Sequence, residues 1–335
     1  MGSAVRRRRW AGPPPLLVLA TVLAFVLAPV FSRSDSGYAS DGDAGVQASF
    51  ASDEAPEIPL VGDKPPTRGG QTIARRDLIG VVTMNRYIQL SKEQARDDAL
   101  AVASHPGADV IGWQEAWSSA PAFQAMRERG WQTRRFPKSA AELAVSWRKS
   151  KFAFVSATAR RVAYGVDSSG VRYPFGNRYV VRVTLRHLGT GRLLSVINTH
   201  LPRMSEDPER PGRYTTTPNA AKAQFALKRM RKTWELAPGR WVLGTGDYNF
   251  DARADERIGV PGGPARTLGP VATSSYSELG IGDLPPTHPD TGRYIDYVHA
   301  RKSDLKAGEV EFLGQRALLG LSSDHRPLLV RIALR

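Results

Sequence analysis

The 335-residue sequence contains no cysteine, so disulfide bonds, thiolate zinc sites and cysteine nucleophiles are all excluded. Histidine is scarce, with six residues, and no two histidines have the HxxxH spacing of a zinc-binding helix. No serine lies in a nucleophile-elbow motif, and no GxxxxGK loop is present to hold a nucleotide phosphate. These absences argue against covalent serine or cysteine hydrolases, zinc proteases and P-loop nucleotide hydrolases.

Acidic residues are the scarcer charge, with 32 Asp and Glu against 47 Lys and Arg, which gives a formal net charge of +15. Only four of the basic residues, Arg6 to Arg9, precede residue 33, so the excess belongs mainly to the rest of the chain. A basic balance favours a polyanionic partner such as a nucleic acid, an anionic lipid or an acidic wall polymer. Compositional drift toward arginine produces the same excess of basic residues, so the net charge alone is weak evidence for a polyanionic partner.

Long apolar runs are also lacking, with one exception near the N-terminus. Leu16 to Phe31 is apolar but contains Pro29, and it is shorter than the roughly 20 residues of a membrane span. Because Arg6 to Arg9 precede this run, residues 1–32 are predicted to be a secretory signal peptide. A small-x-small cleavage site is absent, so an uncleaved signal anchor that contacts the membrane is the alternative. Both readings predict a secreted or extracytoplasmic protein.

Residues 33–75 are rich in Ser, Gly, Asp, Ala and Pro and have no apolar period, which predicts a flexible linker. From residue 76 to 335 the pattern indicates one folded domain in which strands and helices are interleaved. Helices are predicted at 91–104, with Ser91 and Gln94 in a capping box, in a short segment that ends before Gly130, and at 217–236, with Thr217 as the cap. Strands are predicted at 77–85, 108–115, 131–136, 143–148, 151–163, 177–188, 192–201, 240–249, 293–300, 309–314 and in the last stretch before the C-terminus. Several strands are apolar on both faces, which favours stacked sheets covered by helices.

Polar side chains repeatedly stand at the ends of these apolar strands, where a hydrophobic core would not favour them. They are Asn85, Glu115, His200, Asp247, Asn249, Asp296, Asp324 and His325. Each one alone is commonly a turn or a cap, but together they collect hard oxygen donors and two imidazoles. Asp247 and Asn249 are two residues apart, so an extended strand would direct both side chains to the same side. Oxygen donors suit Mg²⁺, Mn²⁺ or Ca²⁺, and this set predicts metal-assisted attack of water on a phosphate ester.

The order of these residues resembles the endonuclease/exonuclease/phosphatase family, which has a deoxyribonuclease I-like fold. The matching motifs are Thr83-x-Asn85, Gln114-Glu115, Asn198 to Leu201, Gly246 to Asn249, Ile295 to Val298 and Ser323 to Pro327. The resemblance extends from Asp77 to Arg335 and makes residues 76–335 the catalytic domain. It implies an α/β (α+β) fold, a four-layer αββα sandwich of two packed mixed sheets flanked by helices, with the site at one end of both sheets.

The resemblance also implies a role for each motif residue. Asn85, Glu115 and Asp324 would hold the metal, which is expected to be Mg²⁺, or else Mn²⁺ or Ca²⁺. Asp247 and Asn249 would bind the scissile phosphate or orient the attacking water, and His200 would protonate the leaving oxygen. His325 would contact the phosphate or act as the base, with its ring oriented by Asp296, so the base stays open between Asp247 and His325. Arg178 is a further candidate phosphate contact, and Asn249 and His200 are expected to touch the substrate too.

Two departures from the abasic-site repair branch narrow the substrate class. Trp117 stands where that branch has a lysine, and His200 stands where it has a tyrosine. The chain therefore looks more like the nonspecific nucleases, sphingomyelinases and phosphoinositide phosphatases. A secreted, monomeric nuclease is the first expectation, with Arg203, Arg210 and Arg213 as possible phosphate contacts unless the neighbouring acids neutralise them.

Two other classes stay open. A phospholipid, sphingomyelin or inositol-phosphate phosphoesterase would present aromatic residues to a bilayer, for which Trp117 and Phe123 are the candidates near the site. A non-enzymatic binding module is the third class, which the intact motif residues oppose. The basic residues on the helix at 217–236 are expected to form a solvated outer face; they are Lys222, Lys228, Arg229, Arg231 and Lys232.

Overall fold

The computed structural model describes residues 78–137, 140–165 and 176–335, together with the backbone of 67–68 and 71–72. The predicted signal segment lies outside the described residues, as does most of the predicted linker. Within the linker region, β1 (Thr67–Arg68) and β2 (Gln71–Thr72) pair as a short antiparallel hairpin. No helix among the described residues is both long enough and apolar enough to span a membrane.

Two mixed six-stranded sheets make up the centre of the domain. The strand order is β13-β14-β3-β4-β6-β5 in the first sheet and β11-β12-β10-β9-β8-β7 in the second. Parallel pairing occurs between β3 and β4 and between β9 and β10, and the other neighbours are antiparallel. The strands of the first sheet are β3 (Leu78–Asn85), β4 (Val110–Gln114), β5 (Trp131–Arg135), β6 (Ala144–Arg148), β13 (Val310–Ala317) and β14 (Leu328–Leu334). Those of the second are β7 (Phe152–Ala163), β8 (Arg178–His187), β9 (Leu193–His200), β10 (Trp241–Asp247), β11 (Ala272–Ser274) and β12 (Asp296–Arg301).

Helices follow the strands and cover the outer faces of the sheets. They are α1 (Lys92–Ser104), α2 (Ala120–Glu128), α3 (Pro218–Glu235), α4 (Ala252–Ile258), α5 (Pro264–Leu268), α6 (Ser275–Leu279) and α7 (Lys302–Lys306), with a 3₁₀ turn at Pro289–Thr291. The capping box at Ser91 and Gln94 forms as predicted. Thr217 is the N-cap of α3, but it makes no capping bond, because its hydroxyl donates to the carbonyl of Met204.

Alternation along β3 places successive residues in different clusters of the hydrophobic core. Val81 belongs to a cluster that includes residues of both sheets, whereas Val82 belongs to a cluster with residues of α1 and α2. Successive strand residues point to opposite faces, so a strand buried on both sides is apolar throughout, as the sequence indicated. The described domain is therefore a sandwich of two sheets with helices outside, which confirms the predicted fold class.

A polar network joins the two sheets close to their site end. Asn198 of the second sheet accepts from Gln114 Nε2 at 2.7 Å and donates to the carbonyl of Trp113 at 2.8 Å. Thr83 Oγ1 of the first sheet accepts from Gly246 N at 3.1 Å. The sheets approach so closely here that a Cβ on Gly112 would stand 1.9 Å from Thr245 Oγ1, so only glycine fits at this position. Thr83, Gln114, Asn198 and Gly246 belong to the matching motifs but have no predicted role in metal binding or proton transfer. Their hydrogen bonds connect the two sheets.

The predicted strands and the three predicted helices are confirmed with shifts of a few residues at their ends. The short elements α4 to α7 and β11 were not predicted, because segments of three to seven residues carry too little periodicity to identify. Seven helices among the described residues also exceed the few that the sequence suggested. Helices α4 to α6 lie between β10 and β12, α7 follows β12, and β11 adds an edge strand to the second sheet beside β12.

Candidate active site

The polar strand ends converge because of the strand directions. The carboxyl ends of β3, β4, β9 and β10 lie at one edge of the sandwich, where the antiparallel β6, β8, β12 and β14 begin. A cavity of about 130 Å³ opens at this edge. It is lined by Asn85, Tyr87, Ile88, Gln89, Glu115, Arg178, His200, Arg203, Asp247, Asn249, His288, Asp324 and His325. Asp296 lies directly behind His325, so the structure brings all the predicted site residues to one place.

Asp247, at the end of β10, is the centre of this arrangement. Its Oδ2 accepts from Asn85 Nδ2 at 3.0 Å, and it lies 3.3 Å from His200 Nε2 and 3.9 Å from His325 Nε2. Its Oδ1 accepts from the backbone N–H of Asn249 at 2.8 Å. Burial opposes its charge, but the two histidines outweigh that cost and hold the pKa of Asp247 well below its usual range. Asp247 is therefore a carboxylate around neutral pH.

The side chains of Asp247 and Asn249 lie close together, but not because they share one side of an extended strand, as predicted. β10 ends at Asp247, and Asn249 has a φ of +49°, in the left-handed region, so the two residues do not share an extended strand. The turn lets the Asn249 side chain donate both to Asp247 Oδ2 at 3.3 Å and to the carbonyl of Leu201 at 3.0 Å. Glu115, predicted as a strand residue, likewise follows the strand end at Gln114 and has a φ of +55°. Left-handed backbone at non-glycine residues is uncommon, and here it occurs twice at the candidate site, with Tyr87 as a third case on the cavity wall.

His200 is held by a buried acid that the sequence interpretation missed. Glu142 Oε2 lies 3.0 Å from His200 Nδ1 and accepts from Arg178 Nη1 at 3.3 Å. Burial alone would lower the pKa of His200, but Asp247 and Glu142 together raise it to about 9. The buried Arg178, predicted as a phosphate contact, is thus also the cation that neutralises Glu142. Glu142 lies in the turn before β6, two residues ahead of its first residue, Ala144, and only its position next to a predicted strand marks it in the sequence.

A second histidine–acid pair faces the first across Asp247. His325 Nδ1 lies 2.8 Å from Asp296 Oδ2, and its Nε2 is the ring atom directed toward Asp247. Burial opposes protonation, but Asp296, Asp247 and Asp324 raise the pKa of His325 to about 10. The ring of His288, also missed by the sequence interpretation, stands edge-on to His325 with centroids 4.8 Å apart. Burial lowers the pKa of His288 to about 4, so it contributes a neutral ring to the wall.

The opposite corner of the cavity is acidic. Burial raises the pKa of Asp324 to about 6; His325 opposes this rise, while Glu115, Asp247 and Asp296 add to it. Asp324 Oδ1 is buried and has no hydrogen-bond partner among the described residues. Glu115 and Asn85 also line the cavity; Glu115 Oε2 accepts from the backbone N–H of Ile88, and Asn85 Oδ1 accepts from that of Tyr87. Crowded oxygen donors with an unpartnered carboxylate oxygen fit a hard divalent cation, so Asn85, Glu115 and Asp324 could hold Mg²⁺ or Mn²⁺.

Two further groups of three side chains, each of which includes at least one histidine, could hold a metal ion. The ligand atoms of His288, Asp324 and His325 lie within 4.8 Å of one another, and so do those of Asp247, Asp296 and His325. Asp324 is common to the first group and to the predicted metal set, so a cation at the acidic corner would have His288 and His325 close by. His325 is common to both groups, whereas Glu115 belongs to neither; all of these residues except Asp296 line the same cavity.

Helix α1 holds the loop that carries Asp324 and His325. The buried Asp98 accepts from the backbone N–H of Ser322 at 2.9 Å and of Ser323 at 2.9 Å. Ser323 Oγ in turn donates to the carbonyl of Asn85 at 2.8 Å and accepts from the N–H of His325 at 3.1 Å. The Asp-His pair was predicted at the opening of the last strand, but β14 begins only at Leu328 and the pair lies in this tethered turn. A carboxylate outside the cavity thus fixes the position of two residues inside it.

The arginines of the loop after His200 have different roles from one another. Arg203 lines the cavity, whereas Arg210 is paired with Asp207 at 2.8 Å and Arg213 is exposed to solvent and does not line the cavity. Of the two aromatic residues considered for a bilayer, Phe123 is buried in the core and Trp117 is half-buried. Arg203 is therefore the arginine of this loop closest to the proposed chemistry, and neither aromatic residue is presented to solvent as a membrane contact would be.

Comparison with known proteins identifies the fold. No protein-family profile matches the sequence, and no curated protein matches it significantly. Solved structures do match, over about three quarters of this chain, and they show its fold. The endonuclease/exonuclease/phosphatase from Bacteroides vulgatus aligns with a TM-score of 0.56 and 17% identity, over 77% of this chain and 99% of that one.

Two further structures show the range of proteins that share the fold. TDP2 from D. rerio, complexed with a single strand DNA product, aligns with a TM-score of 0.55 and 14% identity, over 76% of this chain and 98% of its own. A mannosyl-6-phosphatase from Bacteroides thetaiotaomicron aligns with a TM-score of 0.50 and 16% identity, over 76% of this chain and 100% of its own. The fold predicted from the motif order is confirmed, and at these identities the likeness defines the fold.

Proposed function

We propose that the protein is an exported, divalent-metal-dependent phosphodiesterase that hydrolyses phosphate esters with an activated water molecule, and that its substrate is a nucleic acid. One observation carries the proposal: two buried histidine–acid pairs converge on the Asp247 carboxylate, in a cavity where Asp324 Oδ1 has no hydrogen-bond partner within the described part of the chain. Proton donors, a carboxylate and a site for a hard cation around one small cavity are the groups that phosphodiester hydrolysis requires.

The cation is expected to sit among Asn85, Glu115 and Asp324. When bound, it would supply positive charge that offsets the phosphate oxygens of the substrate. Mg²⁺ and Mn²⁺ both suit this oxygen-rich set, and Ca²⁺ is a further candidate. The neighbouring protein residues carry out the proton transfers and position the phosphate.

Both histidines are suited to donate protons. His325 and His200 have raised pKa values, so each keeps its proton around neutral pH and directs Nε2 toward Asp247. A protonated ring contacts a phosphate oxygen or protonates a leaving oxygen, and it cannot accept a proton from water. This favours Asp247 over His325 for orienting the attacking water, with His200 as the acid for the leaving group. Asn249 and Arg178 complete the phosphate contacts.

A nucleic acid is favoured over a lipid because of charge and of the surface near the cavity. The chain has 15 more basic than acidic residues, and Arg203 and Arg178 line the site itself. Of the two aromatic residues near the cavity that were considered as lipid contacts, Phe123 is in the core and Trp117 is half-buried. The likeness to a TDP2 structure that contains single-stranded DNA supports the same choice.

A substrate panel tests the proposal. Purified residues 76–335 would be incubated with plasmid DNA, single-stranded DNA, RNA, sphingomyelin vesicles and inositol phosphates, each with Mg²⁺, Mn²⁺ or Ca²⁺. We expect hydrolysis of at least one nucleic acid that depends on the metal. Turnover confined to sphingomyelin or inositol phosphates would replace the nuclease with the lipid or inositol-phosphate alternative. No turnover of any phosphate ester would favour a non-enzymatic binding module.

A further inference from the structure

An exposed aromatic pair lies between two guanidinium groups at the junction of β7 and α3. Tyr164 directly follows β7 and is 62% exposed, and Phe225 of α3 is 41% exposed. The two rings meet edge to face with centroids 6.2 Å apart. Arg161 lies over the ring of Tyr164 at 5.8 Å, and Arg229 lies over the ring of Phe225 at 5.3 Å. Together these four residues form what we call the basic-aromatic face.

Positive charge extends this face along the helix. Lys222, Phe225, Arg229 and Lys232 follow one another at spacings of three and four residues, which places them on one stripe of α3. The two elements together carry two basic residues in β7 and five in α3, against a single acid, Glu235. The sequence alone suggested a solvated outer face, but two exposed aromatic rings within a stripe of cations are characteristic of a binding surface.

The basic-aromatic face begins at the same edge of the sheet as the cavity. Ala163, the residue before Tyr164, pairs with Arg178, and Arg178 lines the cavity. Lys222 Nζ donates to the carbonyls of Gly165 at 3.1 Å and Gly176 at 3.3 Å, which joins α3 to the backbone on both sides of that pair. A polymer that leaves the cavity past Arg178 would therefore reach Tyr164 and then the cationic stripe of α3.

We propose that the basic-aromatic face binds single-stranded nucleic acid and guides it to the cavity. The identity of the polymer as substrate rests on the proposed function, whereas the binding does not. Exposed rings offer flat surfaces on which bases stack, and neighbouring guanidinium and ammonium groups neutralise the backbone phosphates. This pairing of stacking and charge is sequence-tolerant, because every base has a π face.

Single-stranded nucleic acid fits this face better than an anionic membrane does. Each ring carries a guanidinium group over one side, so inserting the rings into a bilayer would remove water from two charges that the chain places beside them. A flexible strand needs no such insertion, since its bases come to the rings and its phosphates stay at the cations. The surface thus matches a polymer in which aromatic and anionic groups alternate.

Binding can be measured without catalysis. Fluorescein-labelled dT20 would be titrated with full-length protein in EDTA, with anisotropy as the readout, at several salt concentrations. We expect the double variant Tyr164→Ala/Phe225→Ala to bind dT20 at least about tenfold more weakly, the scale of one lost base–ring stack. The double variant Arg161→Glu/Arg229→Glu should make the log–log salt slope shallower by about 1.4, because each phosphate contact on a single strand contributes about 0.7.

A charge-matched control separates the face from general electrostatics. Arg127→Glu/Lys306→Glu produces the same change in net charge at exposed positions of α2 and α7. This control should bind dT20 within about threefold of wild type and keep its salt slope. Thermal melting of all variants confirms that each one is folded before its affinity is compared.

Unchanged dT20 affinity in both double variants would overturn the inference. So would a wild-type protein that ignores dT20 but binds phosphatidylserine vesicles through Tyr164 and Phe225, which would make the face a lipid contact. Hydrolysis of bis(4-nitrophenyl) phosphate by the wild-type protein with Mg²⁺ reports separately on the proposed function. Binding of dT20 through the basic-aromatic face without hydrolysis of the diester would support this inference and contradict the proposed function. Hydrolysis of the diester without binding of dT20 through that face would support the proposed function and contradict this inference.

Discussion

At the scale of single residues, Asp247 is the position on which the contacts of the site converge. Asn85, Asn249, His200 and His325 all direct a nitrogen toward its side chain. Most of these residues come from different stretches of the chain, so the arrangement exists only in the folded protein. Their chemistry divides into a metal-holding corner and a proton-donating side, and substitutions in the two parts should behave differently.

Glu115→Ala and His325→Ala test this division directly. Loss of Glu115 removes a ligand of the expected cation, so activity should fall but recover in part as Mg²⁺ is raised. Loss of His325 removes a proton-bearing ring, so kcat should fall about a hundredfold or more at every Mg²⁺ concentration. Steady-state kinetics across a Mg²⁺ series measures both effects. A near-wild-type kcat for His325→Ala would mean that the Ser-Asp-His turn has only a structural role.

Asp255 is predicted to make stability depend on pH, away from the candidate site. It is fully buried on α4, where its Oδ2 accepts from the backbone N–H of Ala265 at 2.6 Å, and burial raises its pKa to about 7. Because the folded pKa exceeds the unfolded one, the folded state binds this proton more tightly. The contribution to stability is complete below about pH 4 and is lost as the pH rises through 7, with a total of about 4 kcal/mol, since each pKa unit is worth about 1.4 kcal/mol.

Urea unfolding at pH 5 and pH 8 measures this contribution. The wild type should be less stable at pH 8 because of Asp255, and Asp255→Asn should remove that part of the difference. The exposed Asp283→Asn is the matched control and should leave the difference unchanged. Equal pH dependence in wild type and Asp255→Asn would show that the buried carboxyl does not titrate in this range.

At the scale of elements, helix α1 determines where the Asp324–His325 turn lies. Asp98 is the buried acid that accepts from the backbone of Ser322 and Ser323. Asp98→Ala should leave these two N–H groups without their acceptor, at a cost of about 1–3 kcal/mol for each group. We expect a lower unfolding free energy, and also a roughly tenfold lower kcat with weaker Mg²⁺ binding, because both turn residues lose their anchor.

Two variants make this prediction specific. Asp97→Ala changes the neighbouring, exposed residue of the same helix and should alter neither kcat nor Mg²⁺ affinity. Asp98→Asn keeps one acceptor oxygen and should recover part of the loss. If Asp98→Ala lowers stability but leaves kcat and Mg²⁺ titration unchanged, the helix does not position the turn for catalysis.

The sheets and most of the site could be predicted from the sequence. The residues and backbone angles that could not be predicted were missed for physical reasons. Apolar runs and strand-end polar residues are local signals, so β3, β4, β9 and β10 and the residues at their ends could be read directly. Glu142 and His288 lie in loops whose proximity to His200 and His325 depends on tertiary packing. The same holds for Tyr164 and Phe225, which meet only after α3 packs on the sheet. The positive φ angles at Glu115 and Asn249 also have no signature in a single sequence.

At the scale of the whole molecule, the N-terminal segment is proposed to export the domain. Full-length protein expressed in a secreting bacterial host should appear outside the cytoplasm, with its N-terminus near residue 33 if the segment is cleaved. Replacing Arg6 to Arg9 by glutamine should reduce export, because the basic n-region orients the apolar segment. Cell fractionation with N-terminal mass spectrometry measures both. Protein that stays in the cytoplasm and begins at Met1 would contradict the proposal.

Metal-dependent hydrolysis of a phosphodiester can be measured with a single DNA substrate. Initial rates on DNA would be followed for residues 76–335 as Mg²⁺ is titrated into metal-free protein, and then as excess EDTA is added. We expect a rate that rises with Mg²⁺, disappears with EDTA, and is lost at every Mg²⁺ concentration in the isosteric variant Asp247→Asn. Undiminished hydrolysis in excess EDTA, or wild-type rates in Asp247→Asn, would contradict this expectation.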